Sequence, residues 1–331
     1  MSRDYQALVV RKSADKSFSH AVETLSVDAL PAGEVLIRVR YSGVNFKDCL
    51  SVQGNPAITR RFPHTPGIDA AGEVVESSHA DFSPGDKVMV ISRAMGMSLP
   101  GGFGQYVRVP AAWVTRLPDG LDARAAMVLG TPGLTAALAV AALARVLPDL
   151  KDAEVAVSGA TGGVGCLAVA LLAARGCKVS AISGKAQAQA FLTAIGASEI
   201  LSRDQVVDAS GRNLLPPRWS AAVDVAGGAM LSALIRQMRD GGAVAVTGNA
   251  GDTAFDANVL PFILRGVKLL GINTETVPAD QIAALWRHLA GPGKPACLDR
   301  LHQVVALADL PVLLGRIMDG EILGRVVVDL A

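Results

Sequence analysis

The residues with the clearest chemical spacing lie mid-chain, in Glu154-Val-Ala-Val-Ser-Gly-Ala-Thr-Gly-Gly-Val-Gly165. The order is an apolar strand, a Gly-rich turn, and an apolar helix over about Cys166 to Ala174. Glycines let a backbone approach a pyrophosphate closely, and the free N–H groups of a helix start favour its charge. The first fingerprint position is Ala160 rather than Gly, and Gly162 and Gly165 follow at the expected offsets. A glycine alone marks any tight turn. Its place between a strand and a helix is what points to a nucleotide.

The next strand, Lys178-Val-Ser-Ala-Ile182, ends in Ser183-Gly184-Lys185. A site preferring NAD places Asp or Glu at this tip to bond the ribose 2′-hydroxyl. A hydroxyl and a cation with no acid suit a 2′-phosphate instead, so the residues favour NADPH. Taken without the upstream turn, Lys185 reads as a solvated residue in the first turn of a helix.

The elements that must position these residues change character along the chain. Up to about Leu121 the pattern is short alternating strands and turns: Val35–Arg40, Gly72–Val75, Lys87–Ile91 and Tyr106–Val109, with Pro84-Gly85-Asp86 as a turn. This predicts a β-rich domain, a partly open barrel. From about Ala123 strands alternate with helices. Strands fall at Val155–Val157, Val179–Ile182, Glu199–Leu201, Ala221–Val225 and Ala243–Thr247, with helices after Gly165 and over Ala186–Ile195 and Met230–Met238. Such alternation predicts a parallel, doubly wound sheet, with Val267–Ile272 as its last strand. A helix around Asp280–Leu289 follows, and Gly324–Asp329 reads as a terminal strand returning to the first domain.

Composition sets outer bounds. A chain of 331 residues exceeds one ordinary core, so two domains are expected. A net charge of +1 gives no electrostatic case for nucleic acid or an acidic membrane surface. Cys49, Cys166, Cys177 and Cys297 lack metal-ligand or disulfide spacing, and Cys166 and Cys177 read as small core residues. The N-terminus, Met1 to Gln6, lacks the apolar core of a signal peptide. The uncharged run Ala125–Ala144 has membrane-span length but contains Gly130-Thr-Pro-Gly133, so a turn and a buried helix are expected. The reading is a soluble, cytoplasmic protein.

Six segments carry a family resemblance: Tyr41–Asp48, Arg60–Asp69, Ser158–Gly165, Ile182–Lys185, Pro261–Arg265 and Gly324–Asp329. Through them the whole chain resembles the zinc-independent branch of the medium-chain dehydrogenase/reductase superfamily, nearest its acrylyl-CoA reductase and quinone oxidoreductase-like group. The resemblance implies an α/β chain: a GroES-like β-rich catalytic domain over residues 1–122 and 275–331, and a Rossmann domain over 123–274. It also implies a homodimer paired through Val267–Ile272. Zinc-dependent relatives carry Cys where this chain has Asn45, three residues before Asp48, and His-Glu where it has Ile68-Asp69. They also carry four cysteines near Arg93–Gly104, where this chain has none, so no metal site is expected.

Carried onto matching positions, the resemblance implies that Phe46, where relatives often have Tyr, packs near the nicotinamide. Thr161, Gly162, Gly163 and Val164 would follow the pyrophosphate, and Ser183, Gly184, Lys185 and Arg203 would hold the 2′-phosphate. Asn249, Ile263 and Thr274 would line the nicotinamide-ribose region from loops at the carboxyl ends of the strands. Arg203 reads equally as a helix cap or surface residue.

The implied reaction is hydride transfer from NADPH to the β-carbon of an α,β-unsaturated thioester. A fixed donor must then stabilise the enolate. Asn45 is the candidate, against an amide that only bonds local backbone in a turn. Asp48 reads as orienting Lys47 or Arg325. Arg60, Arg61 and Arg93 could meet CoA phosphates or form a solvated face, and His64 reads as a loop residue. Three functions stay open: an acyl-CoA reductase, a quinone or enone reductase, and an NADPH-binding protein without turnover.

Overall fold

A computed structural model describes residues 3–331, so the reading of Met1 and Ser2 lies outside the described residues. The chain divides into two compact units, residues 1–131 with 302–331, and residues 132–301.

The first unit opens with a hairpin of β1 (Asp4–Lys12) and β2 (Phe18–Ser26). Its main sheet uses β3 (Val35–Gly43), β4 (Asp69–Ser77), β5 (Lys87–Ile91), β6 (Tyr106–Val109) and β7 (Val114–Arg116). Helix α1 (Phe46–Val52) follows β3, and α2 (Ala123–Val146) leaves the unit. Alternate residues of β3 and β4 face one core, where Val35, Ile37, Val39, Val74 and Val88 are buried together. Each such side chain contributes about 1.5–3 kcal/mol on burial.

The second unit is a parallel sheet built from β8 (Glu154–Val157), β9 (Lys178–Ile182), β10 (Glu199–Leu201), β11 (Trp219–Asp224), β12 (Met238–Val246) and β13 (Lys268–Gly271). The order β10-β9-β8-β11-β12-β13 reverses direction at β8 and β11, as a doubly wound sheet requires. Its inner strands are near-continuous apolar runs because helices cover both faces. The helices are α3 (Gly163–Ala174), α4 (Gln189–Ala194), α5 (Gly228–Arg236), α6 (Leu260–Arg265) and α7 (Ala279–Ala290). Helix α3 buries every residue from Gly165 to Leu172, which explains its all-apolar sequence. Trp219 is fully buried, and its Nε1 donates to Ser180 Oγ at 3.1 Å.

The chain then returns to the first unit as β14 (His302–Ala306), α8 (Leu310–Met318) and β15 (Arg325–Asp329). The terminal strand inserts between β14 and β3, in the order β14-β15-β3-β4-β5-β7 with β6 also on β3.

The unit boundaries differ from the sequence reading, at 131/132 and 301/302 instead of 122/123 and 274/275. Helix α7 and the segment after it belong to the second unit, with Trp286, Leu289, Leu298 and Leu301 buried. Helical periodicity revealed that a face is buried but not which core receives it. Two element ends also shift: Met238 opens β12 instead of closing a helix, and residues 186–195 split into a 3-10 turn and α4. The apolar run at Ala125–Ala144 is helical on both sides of a kink at Gly130, whose φ is +49°. The helix is largely buried in the fold.

Candidate active site

The crevice at the switch point is built by the turn after β8. Gly165 must be glycine, because a Cβ there would stand 2.2 Å from Gly159 O. Gly162 is under no such pressure. A Cβ at that position would meet Gly159 O at 3.4 Å, and its φ of −82° suits any residue. Its exposed position at the start of α3 fits close approach by a ligand from outside. Thr161 is buried, and Gly163 and Val164 begin the helix.

At the tip of β9 the backbone N–H of Lys185 donates to Ser183 Oγ at 3.1 Å. Arg203, in the turn after β10, lies against Gly184, and its carbonyl accepts from the N–H groups of Val206 and Val207. Partial burial lowers the Lys185 ammonium below its ordinary value, and the Arg203 charge lowers it further. Two cations beside a hydroxyl make a corner that favours an anion.

Strands β12 and β13 run side by side, pairing Val246 with Gly271, so the loops carrying Asn249 and Thr274 leave neighbouring strand ends. Ile263 departs from expectation. It lies on the crossover helix α6 and is 68% exposed. Pro261 is buried and Phe262 packs on the core, so the helical turn carries the next side chain outward.

The first unit holds a buried polar cluster. Asn45 Nδ2 donates to Gly43 O at 3.0 Å and to Asp69 Oδ2 at 2.9 Å. Asp69 also accepts from Thr131 N at 2.8 Å and from Thr131 Oγ1 at 2.5 Å. Arg325 donates to the carbonyls of Val44, Met127 and Val128 and, at 3.4 Å, to Asn45 Oδ1. The opposite amide orientation would turn Nδ2 toward the guanidinium and Oδ1 toward the carboxylate, so the network fixes the one described. Both amide hydrogens of Asn45 are therefore committed within the protein, and the residue is not a free donor for a substrate oxygen. Asp48 accepts from the backbone N–H groups of Asn45, Gly67 and Ile68. Burial is the main cause raising Asp48 to about 7 and also raises Asp69. Phe46, the first helical residue of α1, is 47% exposed.

The remaining sequence candidates divide. His64 is buried, and its Nε2 bonds Gly96 O at 2.8 Å, which makes it structural. Arg60 and Arg61 are exposed and Arg93 is half-buried. Sequence reasoning missed the roles of Asp69, Thr131 and Arg325 as one network, and of Asp224 and Ser158 as a buried pair. The signal available for the pair was an acid ending an apolar strand next to the nucleotide turn.

A doubly wound sheet with a Gly-rich turn at its switch point, joined to a β-rich unit, defines a dinucleotide-binding enzyme class. Residues 31–119 match the family described as alcohol dehydrogenase GroES-like domain, and residues 163–290 the family described as zinc-binding dehydrogenase. The chain belongs to the medium-chain dehydrogenase/reductase superfamily and is an oxidoreductase using a nicotinamide dinucleotide. It is 41% identical over 326 residues to acrylyl-CoA reductase AcuI of Ruegeria pomeroyi, covering 98% of this chain and 99% of the relative. A Bacillus subtilis protein, YhfP, named as a quinone oxidoreductase, is 42% identical over 331 residues and all of both chains. Its structure with NAD bound gives a TM-score of 0.94 over 99% of this chain and 100% of that one. The structure of E. coli K-12 YhdH with bound NADPH also gives 0.94, at 36% identity over 98% of this chain and 100% of that one.

The second family description names zinc, and the residues here do not fit it. Among the described residues no group of three or more His, Cys, Asp or Glu could hold a metal ion. Asn45 and Asp69 bond each other, and Asp48 is held by backbone N–H groups.

Proposed function

We propose that the chain is a zinc-independent, NADPH-dependent reductase of the carbon–carbon double bond of an α,β-unsaturated acyl-CoA, of acrylyl-CoA type. The observation carrying the cofactor choice is the Lys185 and Arg203 corner beside Ser183, where an NAD site would place an acid. The relative from Ruegeria pomeroyi, similar over nearly the whole chain, supports the thioester substrate.

When bound, NADPH would supply a hydride to the β-carbon of the substrate, and a proton from solvent or a protein donor would complete the reduction at the α-carbon. The turn from Thr161 to Val164 takes the pyrophosphate, and Ser183, Gly184, Lys185 and Arg203 take the 2′-phosphate. Asn249 and Thr274 face the nicotinamide ribose. Charge developing on the thioester oxygen needs a fixed donor. With the Asn45 amide committed, that donor is a backbone N–H or a ribose hydroxyl, and Asn45 keeps a positioning role. Strand β13 is a sheet edge with Leu269 exposed, and pairing of two copies through Val267–Ile272 would cover it.

The test follows NADPH oxidation with acrylyl-CoA and with a simple quinone, using NADH as control. Turnover of the thioester with NADPH alone supports the reading. Quinone turnover without thioester turnover moves the protein to the second reading, which the Bacillus subtilis relative favours. Tight NADPH binding with no oxidation by either acceptor would make it a binding protein.

A further inference from the structure

Two fully buried side chains, Ser158 and Asp224, sit where β8 and β11 end, and no step above uses them. Ser158 Oγ donates to Asp224 Oδ1 at 2.6 Å and accepts from the N–H groups of Val225 and Ala226, at 2.9 and 3.2 Å. Asp224 accepts in addition from Ala226 N at 3.3 Å and from Gly227 N at 2.8 Å. Ser158 Oγ and the N–H groups of Ala226 and Gly227 all donate to the carboxylate, and these bonds oppose the burial that raises Asp224 above its ordinary value.

The same residues hold a third loop. Thr247 N and Thr247 Oγ1 donate to Asp224 O at 2.8 and 3.2 Å. Ala250 N donates to Val225 O and Gly251 N to Ala226 O, so the loop carrying Asn249 hangs on the β11 loop. The backbones meet without side chains between them. A Cβ at Gly248 would stand 2.6 Å from Val225 O, and one at Gly227 would stand 2.3 Å from Asp252 O. One hydroxyl and one carboxylate thus tie the turn after β8 to the loop after β11, and the loop after β12 hangs on the backbone of the latter.

We infer that Ser158 and Asp224 are positioning residues for the nicotinamide half of the dinucleotide site, and that the 2′-phosphate corner at Ser183, Lys185 and Arg203 works without them. The inference rests on the NADPH reading above. A pair serving only stability would affect both halves alike.

The test titrates NADPH and 2′,5′-ADP against the whole protein, its Ser158→Ala variant and its Asp224→Asn variant, with thermal unfolding of each. The adenosine bisphosphate carries the 2′-phosphate and the adenosine-side 5′-phosphate and lacks the nicotinamide half. The expected result is an NADPH Kd raised about tenfold or more in both variants, with the 2′,5′-ADP Kd held within about twofold. Thr247→Val removes only the hydroxyl bond to Asp224 O and keeps the question answerable if the other variants do not fold. It should show the same selectivity at lower amplitude. Equal loss of both ligands, or unchanged NADPH affinity in a folded variant, overturns the inference. A wild-type protein that binds no 2′,5′-ADP would overturn the NADPH reading and this inference with it.

Discussion

Arg203 lies over Gly184, so closely that a Cβ at residue 184 would stand 3.1 Å from its Nε and 3.2 Å from its Cζ. Burial, and then the Arg203 charge, lower the nearby Lys185 ammonium below its ordinary value. Arg203→Ala should therefore raise the KM for NADPH about tenfold to a hundredfold, as loss of a charge-assisted bond would, and leave the KM for NADH unchanged. Equal effects on both cofactors would show that Arg203 is a surface residue.

The two glycines of the turn should respond differently to alanine. Gly165→Ala drives a methyl to 2.2 Å from Gly159 O, so thermal stability should fall sharply. Gly162→Ala meets the same oxygen at 3.4 Å and should unfold at the wild-type temperature. Its NADPH affinity should nonetheless fall about tenfold or more, because the methyl occupies the space of the pyrophosphate. Retained affinity would remove Gly162 from the site.

Asp69 is the acceptor on which Thr131 and Asn45 converge, and it balances part of the Arg325 charge. Asp69→Ala leaves buried donors without acceptors and should cost about 3–5 kcal/mol in urea unfolding. Gly130→Ala attacks the same contact from the other side, placing a Cβ 2.6 Å from Asp69 Oδ2 at a φ of +49°. A loss under about 1 kcal/mol for Asp69→Ala would mean the network is not a structural unit.

Burial, more than its charged neighbours, raises Asp48 from 3.8 to about 7. The native protein then holds a proton that the unfolded chain releases at much lower pH. The resulting stability is fully present below the unfolded value and is lost as pH rises through the folded one. From about pH 5 to about pH 8 the wild type should lose stability relative to Asp48→Asn, whose amide does not titrate. Parallel unfolding curves for the two proteins at both pH values would contradict this.

The sequence was most informative where local chemistry is obligatory. The strand, turn and helix from Glu154 to Ala174 follow from glycine spacing and apolar runs, and β9 ends at Ile182 as expected. The terminal strand joins the first unit as its apolar run and the resemblance implied. What stayed hidden is long-range. Arg325 meets Val44 and Asn45 across 281 and 280 positions, and no periodicity reports such a contact. Ser158 and Asp224 are 66 positions apart and look like ordinary strand ends until the parallel sheet places them side by side. The Asn45 amide reads as a free donor in the sequence because its partner Asp69 lies 24 positions away, at the start of β4.

The placement of β15 has a consequence for how the protein is born. The second unit occupies one unbroken stretch, residues 132–301, and has all its strands before the chain is finished. The first unit does not. Its strand β3 lacks a neighbour, and the carbonyls of Val44, Met127 and Val128 lack the Arg325 guanidinium, until residues 325–329 leave the ribosome. The first 131 residues must therefore wait for a strand made about 190 residues later, and a chain cut before residue 325 leaves their sheet open beside β3.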